Sequence, residues 1–199
     1  MRKYITPGEF ERVLAAASHH PRDALLILLS FRHGLRVSEA LGLRWRDLDL
    51  DGQSIYIQRL KGGVSGTHPL APDECGRIQT WRDRRPKWTW DDVVFAGPSG
   101  RPLSRQHVHR LLRRYGQVAG VSIDLHPHCL RHGAGFALAN LGRDTRLIQS
   151  FLGHRSISST CLYTETNEER FRTIWSGNNP STNRDSANVL PFGEMARRR

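Results

Sequence analysis

Apolar positions along this chain change period several times, and each change marks an element. Thr6-Pro7-Gly8-Glu9 reads as a helix start, with Thr6 as N-cap, proline at the first helical position and Glu9 placed to close a capping box. That helix runs through Phe10, Val13 and Leu14 toward Ala17. The stretch from Arg22 to Phe31 is apolar nearly all round, which predicts a central core helix. Gly34 ends it, and Ser38-Glu39 start a third helix carrying Ala40, Leu41 and Leu43. Alternation then replaces the helical period. Asp47 to Gly52 signals a hairpin with an Asp-Gly turn, Ser54 to Ile57 is a strand, Lys61-Gly62-Gly63 sits at a second turn, and Thr67 to Leu70 returns as the next strand. Glu74 to Arg85 is helical again, Val93-Val94-Phe95 is a short buried extended segment, and Gly97 to Gly100 is a loop. From there the chain is helical in pieces: Ser104 to Tyr115, Pro127 to Leu141, Asp144 to Leu152, and Ser156 to about Tyr163. The pattern predicts a mostly helical α+β domain with a small antiparallel β-sheet.

Beyond Trp175 the pattern stops. Gly177 to Asn188 is nearly all Ser, Asn, Pro, Asp and Thr, and the chain ends on Arg197-Arg198-Arg199. The expected organisation is one domain over residues 1–176 and a disordered, polar and basic tail over 177–199.

Charge narrows the partner. The 199 residues carry a formal net charge of +11, which suits a polyanion, nucleic acid first. Apart from Lys3, Lys61 and Lys87 the 30 basic residues are arginines, whose planar fork grips phosphate with two parallel hydrogen bonds, although a GC-rich genome leaves the same bias. The stretches Arg82 to Arg85 and Arg110 to Arg114 are expected to meet phosphate backbone. The chain lacks a stretch of about 20 apolar residues, so no membrane span is expected. After Met1-Arg2-Lys3 it lacks the apolar core of a signal peptide, so the expected compartment is the cytoplasm. Cys75, Cys129 and Cys161 are too few and too scattered for a disulfide framework or a zinc ribbon. Trp45, Trp81, Trp88, Trp90 and Trp175 read as packing residues.

The most informative local signal is His126-Pro127-His128-Cys129-Leu130-Arg131-His132. On a helix His128 and Arg131 are three apart and share a face, so an imidazole and a guanidinium can converge on one phosphate. A helix cannot turn His126, His128, Cys129 and His132 all to one metal, so His126 and His132 read as helix-start and packing residues and no metal site is expected. His154 follows Leu152-Gly153 at a helix end, and Tyr163 lies nine residues further on. Upstream, Arg36 precedes a helix N-terminus, where unpaired N–H groups favour an anion.

On these residues the chain resembles the tyrosine recombinase (phage integrase) family, from Thr6 to about Trp175. The matching motifs are GLRVSEALGLRWRDLD around Arg36, Lys61 in the hairpin, HPHCLRHGAGFALA with His128 and Arg131, LGH ending at His154, and TCLYTETNEER with Tyr163. Within the family, IYIQRLKGGVSGTHPL, RPLSRQHVHRLL and RFRTIW are most similar to the short fimbrial phase-variation invertases.

The resemblance implies the family's catalytic-domain fold and a site-specific recombinase that inverts a promoter segment. The implied catalytic set is Arg36, Lys61, His128, Arg131, His154 and Tyr163. Chemistry gives each a task. Tyr163 attacks the phosphodiester and forms a 3'-phosphotyrosine. Arg36 and Arg131 clamp the phosphate oxygens in place of a metal. Lys61 protonates the leaving 5'-oxygen, while His128 and His154 bind phosphate or take the tyrosine proton. Glu39 steadies the arginines. The phosphotyrosine ester conserves the energy of the broken bond, so no cofactor, ATP or metal is expected, and the sequence holds no GxxxxGK[ST] loop. Implied partners are double-stranded DNA with inverted-repeat sites, a homotetramer assembled on that DNA, and accessory DNA-bending proteins, all at the bacterial nucleoid. The resemblance implies a chain that starts directly at the catalytic domain, so the separate DNA-binding domain of many relatives is not expected. A non-catalytic DNA-binding transcriptional regulator, a relaxing enzyme of the type IB topoisomerase class and a metal nuclease are the rival readings.

Overall fold

The computed structural model describes residues 2–60, 62–85 and 87–164 of the chain. Helix α1, Pro7–Ala16, starts in the expected capping box: the Glu9 N–H donates to Thr6 Oγ1 at 3.3 Å and the Thr6 N–H donates to Glu9 Oε2 at 2.9 Å. Helix α2, Pro21–Arg32, is the core helix, with Ala24 to Leu29 all buried. It packs against α1, α3 (Val37–Gly42), α4 (Pro72–Asp83) and α6 (Pro127–Asn140). Burying each of its leucines is worth about 1.5–3 kcal/mol, so α2 is the rod around which the domain is built.

The sheet has the order β1-β2-β3, with β1 Leu48–Asp49, β2 Ser54–Ile57 and β3 Gly66–Pro69, antiparallel throughout. Ile55 and Ile57 face the core and Tyr56 faces out, as the period of a strand requires. His68 pairs across from Ile55 and shares that inward face. Val94 and Phe95 are buried beside α4, and Val93 bridges to Arg44. Helices α5 (Arg105–Val118), α6, α7 (Thr145–Leu152) and the short α8 (Ser158–Cys161) follow.

Three sequence expectations shift. The third helix begins at Val37, with Arg36 as its N-cap, because the Glu39 carboxylate accepts the Arg36 N–H at 2.9 Å. The last helical stretch shrinks to α8 followed by turns at Tyr163 and Thr164. Trp90 is 61% exposed, edge-on to Trp88, and so is no core residue. Trp45 is buried as expected, whereas Trp175, the boundary at residue 176 and the tail 177–199 lie outside the described residues.

Candidate active site

Two helix ends meet here. α2 stops at Gly34, φ +57, with the Leu35 N–H donating to Ser30 O at 3.0 Å. α7 stops the same way at Gly153, φ +65, with the His154 N–H donating to Gln149 O at 3.0 Å. A helix C-terminus leaves carbonyls without intrahelical donors, and these carry the negative end of the helix dipole. Arginines occupy carbonyls at and just past both ends. Arg131 donates through Nη1 to Gly34 O and through Nη2 to Leu152 O, the latter at 2.8 Å. Arg59 donates through Nη1 to Gly34 O at 3.2 Å and through Nη2 to His33 O at 3.1 Å and Phe151 O at 2.7 Å.

Glu39, buried, ties the cations together. It accepts from Arg36 Nη1 at 2.6 Å and from Arg59 Nη1 at 2.9 Å, and lies 3.9 Å from Arg131 Nη1. Burial alone would raise its pKa. The Arg36 N–H, the Arg36 guanidinium and the Arg59 charge outweigh that and hold the carboxyl below its ordinary value. Three guanidinium groups around one carboxylate leave the cluster positive, the electrostatic signature of an anion site. Arg131 is pulled down to about 10 by burial and by the charges of Arg36 and Arg59, and so stays protonated at neutral pH. Arg36, its side chain 25% exposed, is the arginine of this cluster open to solvent. At the α3 N-terminus Glu39 takes the N-cap N–H of Arg36.

Tyr163 is within the same field. It is 1% exposed, its ring edge-on to Phe136 and parallel to His154 at 6.3 Å between centroids. Gly135 makes room for it: a Cβ there would stand 2.6 Å from Tyr163 Cζ. Burial raises the phenol pKa, while Arg131 and Arg36 pull it the other way. The hydroxyl lies 3.0 Å from His132 Nδ1. His154 places Nδ1 2.9 Å from Thr160 Oγ1, and burial followed by Arg131 and Arg36 lowers its pKa to about 4. His128 is exposed on the Arg131 face of α6, its pKa lowered by partial desolvation and then by His126 and Arg131. These imidazoles are therefore neutral near pH 7 and able to accept a proton.

Of the residues singled out from sequence, Arg36, His128, Arg131, His154 and Tyr163 are brought to one region, while Lys61 lies outside the described residues. Its hairpin is anchored on either side: the Leu60 N–H donates to Glu39 Oε1 at 3.3 Å and the Arg59 N–H to Ser65 Oγ at 2.9 Å. Sequence reasoning missed Arg59, the His132 contact and a buried chain in which His33 links Glu74 (Nε2 to Oε1, 3.1 Å) to His68 (Nδ1 to Nδ1, 3.3 Å). A signal existed for Arg59 and His68. Arg59 continues the inward parity of Ile55 and Ile57, and a charged residue on core parity must be buried against partners.

The other arginines divide. Arg85 donates to Val93 O at 3.0 Å and Arg82 sits over Trp88, so both serve packing, while Arg84, Arg110 and Arg114 are exposed. Arg22, Arg84, Arg85 and Lys87 line one hollow.

A model of the phage integrase family matches residues 3–170. The type 1 fimbriae regulatory protein FimE of Escherichia coli (strain K12) is 44% identical over 184 residues, which cover 89% of this chain and 93% of that protein. Tyrosine recombinase XerD of Ralstonia nicotianae is 32% identical, over 89% of this chain and 60% of its own length. Among solved structures, the XerA recombinase superposes with a TM-score of 0.78 at 28% identity, over 90% of this chain and 66% of XerA. The chain thus spans nearly all of the fimbrial relative and about two thirds or less of the Xer proteins.

Proposed function

We propose that this chain, which belongs to the phage integrase family, breaks and rejoins DNA as a site-specific tyrosine recombinase. The observation that carries the reading is the buried Glu39, which joins Arg36 and Arg131 into one positive cluster whose field Tyr163 shares.

In this reading a scissile phosphate enters between Arg36 and Arg131, and their guanidinium groups neutralise its non-bridging oxygens. The Tyr163 oxygen forms a bond to phosphorus as the bond from phosphorus to the 5'-oxygen breaks, leaving a 3'-phosphotyrosine. A neutral imidazole takes the phenol proton. His132 is already in hydrogen-bond reach, and His128 and His154 are neutral imidazoles in the field of the same arginines. Lys61 supplies the proton to the leaving 5'-oxygen. Attack on the phosphotyrosine by the 5'-hydroxyl released at the other site joins the strands and frees Tyr163 by the same steps in reverse, so neither ATP nor metal is needed.

The finer biology rests on the likeness to a type 1 fimbriae regulatory protein. The substrate is duplex DNA with inverted repeats, the outcome is inversion of a promoter segment in fimbrial phase variation, and four protomers assemble on two sites with accessory DNA-bending proteins. Residues 1–176 form the catalytic domain and 177–199 a basic tail. The protein acts in the cytoplasm at the nucleoid; among the described residues no helix is long and apolar enough to cross a membrane.

The test is incubation with nicked duplexes carrying candidate inverted repeats, in chelator and without ATP. The expected result is a covalent protein–DNA adduct that Tyr163→Phe abolishes while DNA binding persists. Binding without adduct would mark a non-catalytic regulator, adduct and relaxation on any supercoiled plasmid a topoisomerase, and silence caused by chelator alone a metal nuclease.

A further inference from the structure

We infer that Arg59 is a positioning residue for the two-arginine clamp, aiming Arg36 and Arg131 through partners it shares with each while touching no DNA itself. The inference rests on the recombinase reading and adds to it a residue outside the proposed catalytic set.

Its contacts carry the argument. The Arg59 side chain is 1% exposed. Glu39 Oε2 accepts from Arg59 and Oε1 from Arg36, so rotation of the carboxylate that would release one arginine is resisted by the other. Gly34 O accepts from both Arg59 and Arg131, and Arg59 Nη2 spans His33 O on the α2 side and Phe151 O on the α7 side. Arg59 is therefore a cross-link between the two helix ends from which Arg131 hangs. The turn after α7 is moulded on it: a Cβ on Gly153 would stand 2.8 Å from Arg59 Cγ.

Stability alone does not explain an arginine here. Its charge is desolvated and lies beside Arg36, whose like charge opposes it, costs that an apolar replacement of the whole buried pair with Glu39 would avoid. What an apolar chain lacks is a planar fork that binds a carboxylate and three carbonyls at set angles. A lysine has three donors and no plane, so it keeps the charge and loses the geometry.

The experiment uses the full chain with Arg59→Met and Arg59→Lys. Single-turnover adduct formation is measured on nicked duplex with either an ordinary scissile phosphate or an uncharged methylphosphonate, beside DNA affinity and a thermal melt. With the ordinary phosphate, R59M is expected to lose about 100-fold in adduct rate, the scale of a roughly 1 Å misplacement, and R59K less. DNA affinity should stay within about twofold, since no phosphate contact is removed. On the methylphosphonate, which needs less charge neutralisation, the gap between wild type and both variants should contract severalfold. If R59M does not fold, R59K carries the same comparison. Unchanged adduct rates in the variants overturn the inference, as does an equal loss on both substrates, which marks a merely structural role. If the unsubstituted protein forms no adduct on any duplex, the recombinase reading has failed, visibly before any variant is compared, and this inference falls with it.

Discussion

The hydroxyl of Tyr163 lies 3.0 Å from Nδ1 of His132, the residue after Arg131 on α6. A phenol that is 1% exposed must find its hydrogen bond inside the protein, and His132 provides it. His132→Phe leaves that hydroxyl unsatisfied, which costs about 1–3 kcal/mol, whereas Tyr163→Phe costs no more than about 1 kcal/mol because the half-buried imidazole can turn to water. Urea denaturation is expected to rank H132F below Y163F in stability. H132F should form adduct more slowly than wild type, and His132→Asn, which restores a polar partner, should recover part of the rate.

Glu39 is the counter-charge for Arg59, buried beside it, and for Arg36, which is partly open to solvent. Glu39→Gln keeps the shape and removes the charge, leaving buried guanidinium groups under-compensated. Breaking a buried pair from one side costs about 3–5 kcal/mol. The expected outcome is a large fall in unfolding free energy, with adduct formation reduced in whatever fraction folds.

Gly135 touches the ring of Tyr163 with no space for a methyl group. Gly135→Ala should raise intrinsic helix propensity by about 1 kcal/mol and still slow adduct formation by about 100-fold through displacement of the phenol. DNA affinity is expected to hold, since α6 keeps its other residues. A G135A protein that cuts at the wild-type rate would show that the tyrosine moves freely away from α6 before reacting.

Acid should weaken the fold from the inside. Burial, then the neighbouring His33 and Arg59, push His68 from 6.5 to about 3, and His154 falls to about 4. Between those values and 6.5 the unfolded chain binds protons that the folded chain refuses, so stability is complete above 6.5 and declines as pH drops. Unfolding free energies at pH 7.5 and pH 5, read by urea titration, should differ in that direction. His68→Gln should narrow the difference; an unchanged slope would exclude His68 as its source.

Where neighbours along the chain decide the conformation, the fold was readable. Thr6 and Glu9 form a capping box because they are three residues apart, Asp144 caps α7, whose end is Gly153, and the unbroken apolar run makes α2 the buried rod. The last helix is shorter than its sequence pattern suggests, because the Ser/Thr-rich stretch after Ser156 hydrogen-bonds in turns as readily as in a helix. Trp90 packs edge-on against Trp88 yet stays 61% exposed, and a loop has no period that would separate inside from outside.

The amino-acid sequence by itself determined which helices and strands form, the excess of positive charge, and the family to which Arg36, Arg131, His154 and Tyr163 point by order and spacing. Only the tertiary structure decided that the carbonyl ends of α2 and α7 converge, that Arg59 and Arg131 hang from them, and that His132 rather than its neighbours holds the tyrosine. The physical reason is that a carbonyl is the same group at every residue. Whether it accepts from its own helix, from water or from a buried arginine depends on which elements the closed core brings beside it, and periodicity along the chain does not encode that.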